Sequence, residues 1–130
     1  MLTEEKLSIS DVKMKARNVL FILLGVAGLL LKGHYSGPLE ELVRAYLGNI
    51  AASFAVYFNA NLVPLQSKHR GIVSACLALT AVESFEAFNG FGIMSNTYDP
   101  YDFVANLVGV LLAFMIDSLI ESRQRRPNSR

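Results

Sequence analysis

Polar and charged residues divide the chain into four long apolar stretches. They cover residues 18–33, 45–65, 71–91 and 102–120. A helix needs about 20 mostly apolar residues to cross a hydrocarbon core ~30 Å thick, and the stretches approach that length. No strand-like alternation and no hairpin dipeptide competes with a helical interpretation. The pattern therefore predicts an all-α integral membrane four-helix bundle, in which residues 1–130 form a single transmembrane domain with short segments at both termini.

Composition supports the membrane interpretation. Hydrophobic residues make up 52% of the chain, charged residues 18%, and the mean hydropathy is +0.37. A soluble domain carries about 25% charged residues. The first stretch is short, but Arg17 and Lys32 at its ends can reach the interfaces with their long side chains. Gly and Ala recur in all four stretches, as expected for helices that approach one another closely.

Two other interpretations of the apolar stretches remain open. The first stretch can be a cleaved secretory signal peptide, although no Ala-x-Ala-like cleavage site follows it and three more stretches come after. The chain can also be a soluble four-helix bundle. The uncharged run of 23 residues at 45–67 argues against that alternative.

The basic residues are distributed unevenly along the chain. If four helices alternate in direction, ten of the twelve fall on one side: Lys6, Lys13, Lys15, Arg17, Lys68, Arg70, Arg123, Arg125, Arg126 and Arg130. Lys32 and Arg44 fall on the opposite side. By the positive-inside rule, both termini are cytoplasmic. The basic tail can be read as nucleic-acid binding, but an anchor near anionic lipid explains it, so we expect the bilayer and no nucleic acid as partner.

Polar residues of three predicted helices fall in one layer of the outer leaflet. With a rise of about 1.5 Å per residue, Glu83 and Glu86 lie about 18 and 22 Å along the third helix, counted from the cytoplasm. Residues near the outer ends of the second and fourth helices reach a similar level, with Asp99 in the loop above. The predicted ligand-binding site comprises Glu83, Glu86, Asp99, Asp102, Asn106, Asn49 and Arg44.

A carboxylate within the hydrocarbon costs a few kcal/mol, so glutamates at this depth should face the bundle interior or a wet cavity. Arg44 is the nearest cation by depth, and Asn49 and Asn106 can donate amide hydrogen bonds. The alternative is structural, with polar side chains joining the helices. We favour that alternative for the polar residues at the cytoplasmic ends of the second and fourth helices, Asn59, Asn61 and Asp117.

Catalytic chemistry has little support in the residue pattern. His34 and His69 fall in loops on opposite sides of the predicted membrane, so no Ser/His/Asp set forms. Carboxylates at this spacing can hold Mg²⁺ or Ca²⁺, which leaves a metal site open. Cys76 is the only cysteine and forms no internal disulfide. We predict no catalytic residue and no cofactor, and leave enzymatic activity undecided.

The residues ESFEAF, followed by NTYDPYDFVANLVG, resemble the VanZ-like family of membrane proteins. That family carries Glu-x-x-Gln on its third helix and then Arg-x-x-Asp-x-x-Asp-x3-Asn-x2-Gly at the start of the fourth. Glu83 matches the first pattern, and the second is matched by Asp99, Asp102, Asn106 and Gly109. Glu86 stands where the family has Gln, and Asn96 stands where it has Arg. The predicted site is therefore more acidic than the family pattern.

The resemblance implies a multi-pass protein of the bacterial inner (cytoplasmic) membrane, related to the cell envelope, with no defined biochemical activity. Its acidic outer-leaflet pocket is expected to bind a cation or a polar or lipid-linked envelope ligand. One alternative is a small structural or accessory subunit, docked on a membrane protein partner or on copies of itself. Another is a metal-dependent membrane enzyme acting on a lipid-linked substrate.

Overall fold

The structure is a computed structural model that describes residues 2–63, 69–88 and 99–124. This part of the chain forms four α-helices and one 3-10 turn, with no strand. The elements are α1 (Leu2–Leu31), the turn Lys32–His34, α2 (Glu40–Ala60), α3 (Arg70–Ala87) and α4 (Pro100–Gln124). The all-α prediction is therefore confirmed for the described residues.

Helix α1 is longer than its apolar stretch predicts. It begins at Leu2 and continues for 30 residues, so the polar segment before residue 18 belongs to the same helix. That segment contains no Gly or Pro to end a helix, and Glu4 and Glu5 in the first turn interact favourably with the helix dipole. Lys15 and Asp11 form an i, i+4 ion pair at 3.0 Å. At about 1.5 Å per residue, α1 spans roughly 45 Å.

The other three helices differ from the predicted stretches mainly at their ends. Helix α2 ends at Ala60 and α3 ends at Ala87, each a few residues before the predicted boundary. Residues 64–65 and 89–91 of those predicted stretches lie outside the described residues. Helix α4 begins with Pro100, which suits the first helical position because proline has no amide hydrogen to leave unbonded.

Helix α2 is the centre of the bundle. It packs against α1, α3 and α4, and α3 also packs against α4. Two of the predicted small residues are required at the closest approaches. A Cβ on Gly25 of α1 would lie 2.8 Å from the carbonyl oxygen of Ala51, and a Cβ on Gly109 of α4 would collide with Ser53 Oγ and the carbonyl of Ile50. These glycines let the α1–α2 and α2–α4 backbones approach closely.

Aromatic side chains form the apolar core. Tyr57 and Phe58 of α2 are fully buried. Phe21 of α1 stacks on Phe58 with ring centroids 4.6 Å apart, and Phe54 meets Phe58 edge to face at 5.1 Å. Such offset and edge-to-face pairs are favourable geometries for aromatic rings. The core therefore fixes α1 against the central helix.

Buried polar side chains accompany the aromatic core, and many large apolar side chains are exposed. Asparagine and serine side chains are fully or almost fully buried: Asn18, Asn61, Ser53 and Ser74. Many leucines are largely exposed, including Leu20, Leu23, Leu30, Leu31 and Leu119. These exposed leucines make α1 and α4 candidates for a contact with another protein or with a membrane.

Among the described residues, two helical segments are long and apolar enough to cross a membrane, judged by length and composition. They are Glu4–His34 and Pro100–Gln124. Only 11% and 33% of their most apolar windows are buried, whereas the core helix of a soluble protein would be mostly buried. The two segments give weak support to the predicted membrane association. The membrane position of α2 and α3, and the cytoplasmic position of the termini, stay predictions.

Candidate functional site

Helices α2, α3 and α4 enclose a cavity of about 240 Å³ near the end of the bundle where α3 ends and α4 begins. Each helix contributes one polar side chain to its lining: Asn49, Glu86 and Asn106. Alanine, valine and Phe85 make up the rest of the wall. We call this space the amide–carboxylate cavity. Three residues predicted to share one level of the bundle therefore line one cavity.

Helix direction explains why these side chains meet. Glu86 lies in the last turn of α3, whereas Asn106 lies in the second turn of α4. Because the end of α3 lies beside the start of α4, residues late in one helix face residues early in the next. Asn49 reaches the same level from the first half of the central helix α2. Glu86 and Asn106 are 7% and 3% exposed.

Two polar atoms in this region are buried without a hydrogen-bond partner among the described residues. They are the Nδ2 donor of Asn106, which lines the cavity, and the Oε2 acceptor of Glu83. Glu83 lies one helical turn before Glu86, within electrostatic reach of that second carboxylate. A buried unsatisfied polar group costs about 1–3 kcal/mol, and native proteins normally pair such groups. A buried donor on the cavity wall and a buried acceptor one helical turn from Glu86 therefore lack partners in the described part of the chain.

Asp99 and Asp102 form the rim above the cavity. Asp99 precedes α4 and accepts a hydrogen bond from the backbone N–H of Tyr101 at 3.0 Å, which is the geometry of an N-cap. The Tyr46 hydroxyl donates to the other carboxylate oxygen of Asp99 at 3.1 Å. Asp102 is buried and lies close to Asn49, which lines the cavity. Asp99 therefore fixes the start of α4, and Asp102 adds a carboxylate beside the cavity.

The cation near the site is Lys32 rather than the predicted Arg44. Arg44 forms an exposed i, i+4 ion pair with Glu40 at 2.7 Å and also donates to the carbonyl of Tyr35. The Lys32 side chain instead lies across Gly48, and its charge acts on Asp102. Depth along the helix correctly put Arg44 at this end of the bundle, but it does not determine the direction in which a side chain points.

A second polar cluster, which we call the Asp117 network, lies at the opposite end of the bundle. Arg17 Nη2 is 2.7 Å from Asp117 Oδ1, and the Tyr57 hydroxyl donates to Asp117 Oδ2 at 2.7 Å. Asn61 Nδ2 donates to the same oxygen at 3.4 Å. The carboxylate of Asp117 is thus bonded from α1 and twice from α2.

Asn61 extends the Asp117 network to the remaining helix. Its side-chain oxygen accepts a hydrogen bond from Ser74 of α3 at 3.1 Å, and its backbone carbonyl accepts one from Arg70. Its amide nitrogen also reaches Asn18 Oδ1 at 3.4 Å. Asn61 and Asp117 therefore join all four helices, in keeping with their predicted structural role. Asn59, by contrast, is exposed, so that role does not extend to it.

The Arg17–Asp117 pair was missed in the sequence because the two residues are 100 positions apart. One signal was available: Asp117 is the only charge inside the fourth stretch after Asp102, and a buried carboxylate needs a cation. Arg17 is the cation that precedes the first stretch. The sequence predicts that the Arg17 side chain reaches the membrane interface, and it does not predict an ion pair with a residue of another helix.

Metal-ligating side chains do not cluster in the described part of the chain: no group of three or more His, Cys, Asp or Glu is placed to hold a metal ion there. Cys76 is a free, exposed thiol. His34 ends the 3-10 turn and His69 precedes α3, so each lies at the helix boundary expected from the sequence.

The VanZ-like resemblance stays a prediction. Its matched positions Glu83, Asp102 and Asn106 lie close to the cavity, whereas Asn96 lies outside the described residues. Comparison of the chain with protein-family models, curated proteins and solved structures finds no match.

Proposed function

We propose that this chain is a multi-pass membrane protein whose amide–carboxylate cavity binds the cationic head of a small amphiphile. The observation that carries the proposal is Asn106, which is 3% exposed, lines the cavity and keeps its Nδ2 donor unpaired. Glu86 supplies a carboxylate in the same wall. The negative charge of that carboxylate attracts an ammonium group, and a hydroxyl or phosphate oxygen beside it can accept a hydrogen bond from the amide.

The apolar part of the wall favours an amphiphile over a bare ion. Alanine, valine and Phe85 side chains line the cavity beside the three polar groups. A hydrated metal ion gains nothing from contact with such side chains, whereas a hydrocarbon segment gains about 25 cal/mol per Å² of buried apolar surface. A lipid-linked envelope compound with an amine-bearing head has both parts.

The proposed position in the membrane rests on burial and charge. Exposed leucines on α1 and α4 and buried asparagines in the interior are what a lipid environment requires. Most of the described basic residues fall at the end of the Asp117 network, which we assign to the cytoplasm: Lys6, Lys13, Lys15, Arg17, Arg70 and Arg123. The cavity then lies in the outer leaflet of a bacterial inner membrane. The accessory-subunit and metal-enzyme alternatives remain, without a specific contact that favours either.

Cysteine labelling tests the orientation. In a Cys76→Ser background, a Ser8→Cys variant should react with a membrane-impermeant maleimide only after cell lysis, and a Ser36→Cys variant in intact cells. Both serines are exposed. Labelling of position 8 in intact cells would overturn the proposed orientation.

Ligand binding is tested with n-decylammonium, using n-decanol as the uncharged match. The chain has no Trp, so helix melting in detergent is followed by circular dichroism. We expect decylammonium to raise the melting temperature of the wild type more than decanol does, and Glu86→Gln to abolish the difference. Asn59→Ala, on the exposed side of α2, is the control and should behave like wild type. An equal response of all three proteins would contradict the proposal.

A further inference from the structure

A groove of about 570 Å³ lies between the first half of α1 and the last turns of α4. Its α1 wall carries Lys6, Ser10, Lys13 and Arg17, and its α4 wall carries Glu121 and Gln124. It lies at the far end of the bundle from the amide–carboxylate cavity and shares no residue with it. We call it the basic groove.

The basic groove exists because α1 and α4 do not pack directly. Helix α1 packs on α2 alone among the described α-helices, and the long Arg17 side chain spans the gap to Asp117. Beyond that ion pair both helices continue, α1 back to Leu2 and α4 on to Gln124. The Arg17–Asp117 pair therefore forms the floor of an open space between two helix ends.

The spacing of the α1 residues concentrates positive charge on this space. Lys6, Lys13 and Arg17 are separated by seven and four residues, which places them on one face of the helix. Lys15 lies away from this face and pairs with Asp11 at 3.0 Å. The groove thus holds Lys6 and Lys13 together with Arg17, whose charge is matched by Asp117, while Glu121 lies on the opposite wall.

The surroundings favour a lipid headgroup over a free anion. Ile9 and Met14 give the groove apolar surface between its lysines. Exposed Leu20 on α1 and Leu119 on α4 lie within one or two helical turns of Arg17 and Asp117, where acyl chains would run. Ser10 and Gln124 can bond headgroup hydroxyls.

We propose that the basic groove binds the phosphate of an anionic phospholipid with a hydroxyl-bearing headgroup. Lys6 and Lys13 contact the phosphate, and Gln124 on α4 faces the hydroxyls of the headgroup. The inference rests on the proposed membrane position, since it assigns this end of the bundle to the cytoplasmic leaflet, where basic pockets between helices attract anionic headgroups.

The test uses the full chain purified in detergent and titrated with dioleoyl phosphatidylglycerol, with dioleoyl phosphatidylcholine as the zwitterionic match. Native mass spectrometry counts bound lipid. We expect phosphatidylglycerol to bind preferentially, Lys13→Gln to weaken it about fivefold, and Lys6→Gln/Lys13→Gln to weaken it by about an order of magnitude or more. Lys15→Gln removes the same charge from another face of α1 and should change affinity less than about twofold.

Three results would overturn the proposal. Equal weakening by Lys13→Gln and Lys15→Gln would indicate general electrostatic attraction. Equal binding of the two lipids would remove the anionic preference. Inorganic phosphate that displaces phosphatidylglycerol at the same concentration would assign the groove to a free anion. Failure of the cavity proposal can be told apart from failure of the groove proposal. The cavity is tested with decylammonium, a ligand that has no phosphate, whereas the groove is tested with phosphatidylglycerol.

Discussion

The amide–carboxylate cavity and the Asp117 network contain the same types of side chain in different states of pairing. In the network, both oxygens of Asp117 accept hydrogen bonds, and Asn61 bonds side chains from α1, α3 and α4. At the cavity, Asn106 Nδ2 and Glu83 Oε2 are buried without a hydrogen-bond partner in the part of the chain that the structure describes. A carboxylate and an amide in a helical bundle can therefore join helices or form a binding site. Which of the two they do depends on whether neighbouring helices provide hydrogen-bond partners for them.

Unpaired atoms also occur in the Asp117 network, but their chemical setting differs. The unpaired nitrogens of Arg17, Asn18 and Arg70 belong to groups that already bond through another atom. At the cavity, by contrast, the unpaired donor belongs to a side chain that lines a space of about 240 Å³. The comparison predicts that the Asp117 network increases the free energy of unfolding. It also predicts that the unpaired polar groups at the cavity lower it.

Asp117→Ala should have the largest effect on stability. It leaves Arg17 buried without its carboxylate, which costs about 3 kcal/mol in a buried pair. The free energy of unfolding is measured in mixed micelles with rising sodium dodecyl sulfate. Asp11→Ala, which breaks the exposed pair with Lys15, is the control and should cost less than about 0.5 kcal/mol.

The double variant Arg17→Gln/Asp117→Asn sharpens that result. Because it removes both charges, it should recover a substantial part of the loss seen for Asp117→Ala. A double variant as unstable as the sum of its two single variants would show that Arg17 and Asp117 act independently, and the network would then contribute no coupled stability.

Gly109→Ala tests the close α2–α4 approach that lies between the two regions. The added Cβ meets Ser53 Oγ and the Ile50 carbonyl, so the helices must separate, at a cost of about 2 kcal/mol. Gly33→Ala is the control because a Cβ there has no atom within 4 Å. The same unfolding assay applies, and equal stability of the two variants would contradict the close packing.

Asn106→Leu should have the opposite sign. Leucine has a similar shape and removes a buried donor that has no partner among the described residues, so the variant should be more stable by about 1 kcal/mol. It should keep the decylammonium response, because an ammonium group cannot accept a hydrogen bond from the amide. Asn59→Leu, at an exposed position, should leave both properties unchanged. Loss of stability on Asn106→Leu would mean that the amide supports the fold, as Asn61 does.

Lys32→Gln should have the smallest effect of these substitutions. It tests whether Lys32 or Arg44 is the cation that influences ligand binding in the cavity. Lys32 acts on Asp102, so its removal should strengthen decylammonium binding about threefold by removing a competing positive charge. Arg44→Gln, which breaks the exposed pair with Glu40, should leave binding unchanged. Isothermal titration measures both, and the reverse ranking would restore Arg44 as the cation of the site.

Helix content and the level of the site were accessible from the sequence because both depend on distances along one helix. The length of the apolar stretches predicts the four helices, and the rise per residue puts Asn49, Glu86 and Asn106 at one level. Asp99 followed by Pro100 is also a typical sequence for the start of a helix, so the N-cap role of Asp99 could have been predicted.

Features that depend on rotation about a helix axis were not accessible. Arg44 and Lys32 lie at similar depth, and only the packing of the 3-10 turn on α2 decides that Lys32 approaches Gly48. The Arg17–Asp117 pair depends on the lateral arrangement of the helices around α2. A hydrophobic pattern contains neither kind of information.

The central position of α2 has a consequence for biogenesis. In the proposed membrane arrangement, helices α1 and α2 can enter the bilayer as one hairpin and pair through Gly25 before the second half of the chain is synthesised. Until α4 arrives, Arg17 lacks its carboxylate, and Tyr57 and Asn61 lack the same acceptor. Incomplete chains of that arrangement therefore carry a positive charge that Asp117 neutralises only when the last helix is in place.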